Sequence, residues 1–145
     1  VDLISYNEYF GWYYVTFFTD QMMIPEGTLR KLMFEVMPNI KISSVFNKPI
    51  HISEFGAGAK YGNHSNKIWS EEYQARLYRH QLEMLSNNSQ IKGISPWVFK
   101  DFRAMLRPLP GIQDFYNRKG LIDENGNKKE AFDVLADFYE NKWNK

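Results

Sequence analysis

The 145-residue chain contains no cysteine, which excludes disulfides, thiolate nucleophiles and thiolate metal ligands and leaves the redox compartment open. Net charge is nearly absent too: 18 Lys and Arg against 17 Asp and Glu leave +1 at pH 7. That balance supplies no field to gather nucleic acid or an anionic membrane, and neither is expected as a partner. No apolar run nears the ~20 residues of a membrane span, and the opening VDLISYNEYF lacks the ordered regions of a signal peptide. A soluble chain is expected, cytoplasmic or periplasmic if the host is bacterial. Neither G-x-G-x-x-G nor G-x-x-x-x-G-K-[ST] occurs, which weakens any nucleotide-binding reading. His51 falls in an expected strand, His64 in a loop and His80 in a helix, so no metal-ligand spacing emerges and no metal or cofactor is expected.

What the chain does have is a core: 43% hydrophobic and 17% aromatic residues suit a folded domain rather than a disordered segment. Three segments repeat one plan of short apolar strand, aromatic and polar loop, and amphipathic helix. The first strand is Val1 to Tyr6, and its helix starts at Pro25 and Glu26, with Leu29, Leu32, Met33 and Val36 at helical spacing until Pro38. The second strand is Ile50 to Phe55. Its loop runs to about Trp69, where Ser70 caps a helix with Glu71 and Glu72 in the first turn and Tyr73, Leu77, Met84 and Leu85 on its apolar face. The third strand is about Ile94 to Phe99. Its long loop holds Pro108, Pro110 and Gly111 and ends near Gly120, before a brief extended piece at Leu121 to Asp123 and a turn at Glu124 to Asn127. A last helix from about Lys128 to Trp143 puts Phe132, Leu135, Ala136, Tyr139 and Trp143 on one side.

Strands alternating with helices predict an α/β fold of parallel strands. The residues with chemical potential all lie in loops that follow strands, the end where parallel sheets bind ligands. Part of a TIM (β/α)8 barrel is favoured over a doubly wound sheet. Val1 is not an initiator and opens inside an expected strand, so residues 1–145 are expected to be a portion of a longer polypeptide.

Four motifs, SYNEYFGWY at Ser5 to Tyr13, PIHISEFGAG at Pro49 to Gly58, SPWVFKDFR at Ser95 to Arg103 and NRKGLID at Asn117 to Asp123, resemble glycoside hydrolase family 2 in order and spacing. That family includes β-glucuronidases, β-galactosidases and β-mannosidases. The resemblance covers essentially the whole chain and implies the last three βα units of the catalytic barrel, its sixth to eighth strands. It implies that Glu54 of the Ser-Glu-Phe-Gly motif is the catalytic nucleophile, a role for which a rigid strand end suits an ionised carboxylate. Alternation turns Asn7 and Tyr9 to one side and Glu8 to the other. Tyr9 is then expected to donate its hydroxyl to the nucleophile, with Asn7 and Tyr13 in support, while Phe10 and Trp12 read as core. Trp97 corresponds to the family's tryptophan that floors the sugar subsite, and the resemblance implies a cis bond between Trp97 and Val98.

Asp101 and Arg103 follow as rim or subsite residues. The pair Asn117 and Lys119 resembles the amide and ammonium that contact the sugar carboxylate in β-glucuronidases. A β-glucuronide is therefore the favoured carbohydrate substrate, with β-galactosidase and β-mannosidase activities as alternatives. His64 is a candidate contact to a substrate hydroxyl. A retaining mechanism also needs an acid/base carboxylate about 5 to 5.5 Å from the nucleophile. In this family it lies near the fourth strand, upstream of these residues, and Glu8 is not a substitute because alternation turns it away. The upstream strands and β-sandwich accessory domains are expected elsewhere, and three strands apolar on both faces are expected to need the rest of the barrel or a second copy. From another functional class, a catalytically silent carbohydrate-binding or assembly fragment stays open.

Overall fold

The computed structural model describes residues 1–13 and 26–143. Pro25 and the side chain of Trp143, assigned above to a helix start and an apolar face, lie outside the described residues. The chain forms two units, Val1–Phe55 with His80–Pro96 and Gly56–Arg79 with Trp97–Lys145.

The first unit is built on a parallel sheet in the order β1-β2-β3, from β1 (Ile4–Asn7), β2 (Ile50–Phe55) and β3 (Ile91–Pro96). β2 is central, and Ile50, Ile52 and Phe55 are fully buried there. Buried positions 50 and 52 keep the two-residue period of a strand, but Phe55 breaks it. The pairing explains why: Tyr6 lies against Ile52 and Asn7 against Glu54, while on the other side Ile94 meets Ile52 and Pro96 meets Phe55. β2 thus carries an extra residue relative to both neighbours, a bulge at Ser53 and Glu54. A bulge of this kind re-aims one side chain without ending the strand.

Between β1 and β2 runs α1 (Glu26–Val36), which passes into a 3-10 turn at Met37–Asn39 where Pro38 ends the helical hydrogen bonding. Its expected apolar face is only partly covered: Met37 is buried, whereas Leu32 and Val36 are exposed. α2 (Glu71–Ser86) begins as predicted, the Ser70 hydroxyl accepting the Tyr73 N–H at 3.1 Å. Tyr73, Leu77, Met84 and Leu85 are all buried along it.

β3 starts and ends three residues earlier than the sequence predicts. Gly93 lies within the strand and leaves room for the His51 ring, since a Cβ there would be 3.0 Å from Cδ2. His51 in turn is hydrogen-bonded to Ser95 at 2.9 Å.

In the second unit the long loop contains a small antiparallel pair, β4 (Phe102–Arg103) with β5 (Tyr116–Asn117). Ile122 bridges both Lys100 and Lys128, so the expected extended piece at 121–123 is present. The 124–127 turn closes on Asp123, whose carboxylate accepts the N–H groups of Asn125 and Asn127 at 2.9 and 2.7 Å. These bonds hold the Asp123 carboxyl below its ordinary range despite some desolvation. α3 (Glu130–Trp143) follows, with Ala131 and Leu135 buried and Tyr139 exposed. The fold is α/β. Among the described residues no helix is long and apolar enough to cross a membrane.

Candidate active site

In the first unit the bulge places Glu54 at the carboxyl end of β2, where the Tyr9 hydroxyl donates to Glu54 Oε2 at 2.8 Å. The backbone fixes both partners, since the Glu8 N–H donates to the Glu54 carbonyl at 2.7 Å. Asn7 ends β1 two residues before Tyr9, and its Oδ1 accepts the Ser53 hydroxyl at 2.9 Å. Tyr13 meets Tyr9 edge-on with ring centroids 5.0 Å apart, which holds the plane of the donating phenol. Trp12 is buried, as expected for core. The result is a half-buried carboxylate on a rigid strand with a phenolic donor on one oxygen. The phenol engages Oε2, an arrangement that fixes the orientation of the carboxylate.

Glu8, set aside by the sequence reading as an acid/base, is the acid of the first unit whose carboxyl is pushed furthest up among the described residues. It is 3% exposed, and burial pushes its carboxyl up from 4.5 to about 7. One oxygen accepts the Phe10 N–H. The other, Oε2, has no partner among the described residues. Glu8 thus has the proton affinity of a general acid, but it is closed off from solvent and from any leaving group.

Directly after β3 comes Trp97, whose bond to Val98 is cis, as the resemblance implies. The second unit arranges the remaining candidates around that peptide. Val98 N–H donates to the Lys119 carbonyl at 3.0 Å. Trp97 itself is half-buried, with Phe102 edge-on at 6.3 Å. Asn117 Oδ1 accepts the Lys119 N–H at 3.1 Å, and both side chains are buried. Arg103 is exposed on β4 with its guanidinium 5.2 Å from the centroid of the Tyr116 ring. Arg118 covers the same ring at 4.5 Å. Gly56 has φ +132° and lies against Tyr78, so no side chain fits where the chain leaves β2.

Asp101 requires a correction. The sequence reading makes it a rim or subsite residue, but its side chain is 0% exposed and forms a buried ion pair with Lys129, at 2.8 and 2.9 Å. Oδ1 also accepts the Gly120 N–H at 2.7 Å, and Oδ2 accepts from Arg118 at 3.3 Å. Burial pushes the Asp101 carboxyl up and the Lys129 ammonium down, each opposed by the other's charge. A buried charge of this kind persists only when paired, so Asp101 holds the fold rather than the sugar.

His64 sits among carboxylates instead of facing open space: its Nδ1 is 3.1 Å from Glu72 and 3.8 Å from Glu130. Ligand atoms of His64, Glu72 and Glu130 lie within 4.8 Å of one another, a grouping that linear spacing did not reveal. Glu72 also accepts the Ser65 N–H at 3.0 Å, and these contacts lower its carboxyl pKa. The cluster fastens the loop 61–67 to the first turns of α2 and α3.

No protein-family model matches the chain. Individual proteins do. Over 133 residues, 90% of the chain, it is 30% identical to a β-glucuronidase of Streptococcus agalactiae serotype V. Over 144 residues, 96% of the chain, it is 28% identical to the β-glucuronidase of Rattus norvegicus. A crystal structure of a GH2 β-galacturonidase from Eisenbergiella tayi bound to galacturonate matches 97% of the chain with TM-score 0.70 and 30% identity. The chain spans 20% of each of those two curated relatives and 24% of that crystallised chain. An α/β fold with a carboxylate at a bulged strand end, together with these similarities, places the chain among the glycoside hydrolases. It belongs to glycoside hydrolase family 2, alongside proteins named β-glucuronidase.

Proposed function

We propose that this chain carries the nucleophile half of a retaining β-glycosidase acting on β-glucuronides. The observation that carries the proposal is the Tyr9 to Glu54 hydrogen bond of 2.8 Å at the end of β2. In such a mechanism Glu54 attacks the anomeric carbon, the aglycone oxygen leaves with a proton from a second carboxylic acid, and water then cleaves the glycosyl ester. As charge on Glu54 is lost in attack and regained on release, the Tyr9 hydrogen bond tunes both steps.

The second carboxylate belongs to another part of the polypeptide. Glu8 is excluded by its burial. We accordingly assign residues 1–145 to the C-terminal portion of the catalytic barrel, its sixth to eighth strands, with upstream strands and β-sandwich domains elsewhere. The support is the parallel order β1-β2-β3 and the span of about a fifth of each curated relative. A three-stranded sheet has two edge strands, and association with the remaining barrel covers them.

For the sugar, Trp97 supplies an apolar floor, while Asn117 and Lys119 supply an amide and an ammonium for its carboxylate. Arg103 stands as a further cation near that site, and His64, whose Nδ1 is engaged by Glu72, is kept as a candidate contact to a substrate hydroxyl. The galacturonate-bound relative at 30% identity favours one second reading, a β-galacturonide, which shares the carboxylate and differs only in one hydroxyl configuration.

Two results are expected from the full-length protein. Tyr9→Phe lowers kcat on an aryl β-glucuronide about tenfold with little change in KM, the loss of one charge-assisted hydrogen bond. Lys119→Met raises KM for the glucuronide about 30-fold, or about 2 kcal/mol, and leaves the matching β-glucoside unaffected. Parallel losses on both sugars would remove Lys119 from carboxylate recognition.

A further inference from the structure

In the second unit, Asn117 to Gly120 is held at every residue by groups that come from far away in the sequence. The Arg118 carbonyl accepts from the Ala59 N–H at 2.9 Å and from Lys129 Nζ at 3.2 Å. The Lys119 carbonyl accepts from Val98 N–H, as described above. Gly120 N–H donates to Asp101, and its carbonyl accepts from Gln74 Nε2 at 3.1 Å. Gln74 is fully buried and gives the same amide group to the Ala57 carbonyl at 2.8 Å. Lys129 does likewise, donating to the Ala59 carbonyl at 2.7 Å besides Asp101 and Arg118.

Two buried side chains therefore each bridge the loop after β2 to the Asn117 to Gly120 motif. The motif also tolerates no substituent at its last position: a Cβ on Gly120 would lie 2.3 Å from the Asp101 nitrogen. A backbone clamped on both sides in this way fixes the Cα–Cβ direction of the residue between the clamps, Lys119, whose side chain is 4% exposed. Neither Gln74 nor Lys129 is on a surface that a ligand reaches, both being 0 to 1% exposed.

We infer that Gln74 and Lys129 are positioning residues for uronate selectivity: by clamping the backbone around Lys119 they hold its ammonium where a sugar carboxylate, and not a neutral hydroxymethyl group, is the favoured partner. The inference rests on the glucuronide reading above and adds to it which buried groups enforce that choice. Small displacements of a charge that must meet an anion are costly, since the ion pair depends on distance and angle in a water-poor site.

The test measures kcat and KM of the full-length protein on an aryl β-glucuronide and the matching aryl β-glucoside, for wild type, Lys119→Met and Gln74→Met. Gln74→Met keeps length and helical character while removing both donors. It is expected to raise KM for the glucuronide about tenfold with kcat within about twofold, and to leave glucoside kinetics within about twofold. Equal effects on the two sugars, or none on either, overturn the inference even where Lys119→Met shows its selective loss. Should Gln74→Met fail to fold, Lys129→Arg, which keeps the charge and alters the reach, is held to the same split. A wild-type protein with no preference for the glucuronide, or a Lys119→Met variant that keeps the preference, sinks the substrate reading and the inference with it.

Discussion

Glu54→Gln lowers turnover of an aryl β-glucuronide by about 10⁴-fold, equivalent to roughly 5.5 kcal/mol of transition-state stabilisation. The amide is nearly isosteric and still accepts the Tyr9 hydroxyl, so the bulge and the β1 to β2 pairing survive. In the proposed mechanism the amide lacks the nucleophilic oxygen that would form the glycosyl ester. Binding is expected to be affected far less, because under the proposed reading the sugar is held by groups other than Glu54. Steady-state kinetics with a binding measurement for a non-hydrolysed glucuronide separate the two. Activity within about tenfold of wild type would remove Glu54 from the nucleophile role.

The second large effect concerns pH and Glu8. Its folded-state carboxyl titrates at about 7 rather than 4.5, the cause being burial, opposed in part by the Phe10 N–H. Between those values the folded chain holds a proton that the unfolded chain has released, so stability falls as pH rises through this window. The loss amounts to about 3 kcal/mol once both titrations are complete. Below pH 4.5 the penalty is absent. Hydrogen exchange over residues 4–13 of the full-length protein, corrected for intrinsic rates, reads this as an opening free energy that declines from pH 4.5 to 8. In Glu8→Gln, which has no charge to bury, the same profile is flat. A flat profile in the wild type would show that Glu8 ionises freely.

How much of this was legible in the sequence depends on whether the signal was local. β2 has the predicted bounds because Ile50, Ile52 and Phe55 are apolar and turn residues flank the run. The Ser70 cap was readable for a similar reason, a hydroxyl followed by two acids in the first turn. β3 lies three residues earlier than predicted, and Lys92 and Gly93 within it carry no apolar strand signal; the space Gly93 leaves for the His51 ring is visible only in the fold. The Tyr9 to Glu54 contact was expected from the family resemblance, but the bulge that aims Glu54 was not, since it exists only in the pairing of β2 with its neighbours.

Charge assignments fared worst where partners are distant. Asp101 and Lys129 are 28 positions apart, and nothing local distinguishes their buried pair from two surface charges. Glu8 shows the same limit: its neighbours in sequence are polar and aromatic, and only the fold reveals that it is closed in. By contrast the family motifs were legible as a set, because four of them fall at strand ends in one order.

Trapping the covalent intermediate tests the central claim most directly. A 2-deoxy-2-fluoro-glucuronyl fluoride reacts through the first step, since fluoride leaves readily, while the electron-withdrawing fluorine at C2 slows hydrolysis of the ester that forms. Incubation with the full-length protein, followed by intact mass and peptide mapping, is predicted to show one fluoroglucuronyl group per chain, on Glu54, with loss of activity in step. An adduct on another carboxylate, or turnover of the reagent with inverted configuration and no adduct, would contradict the account.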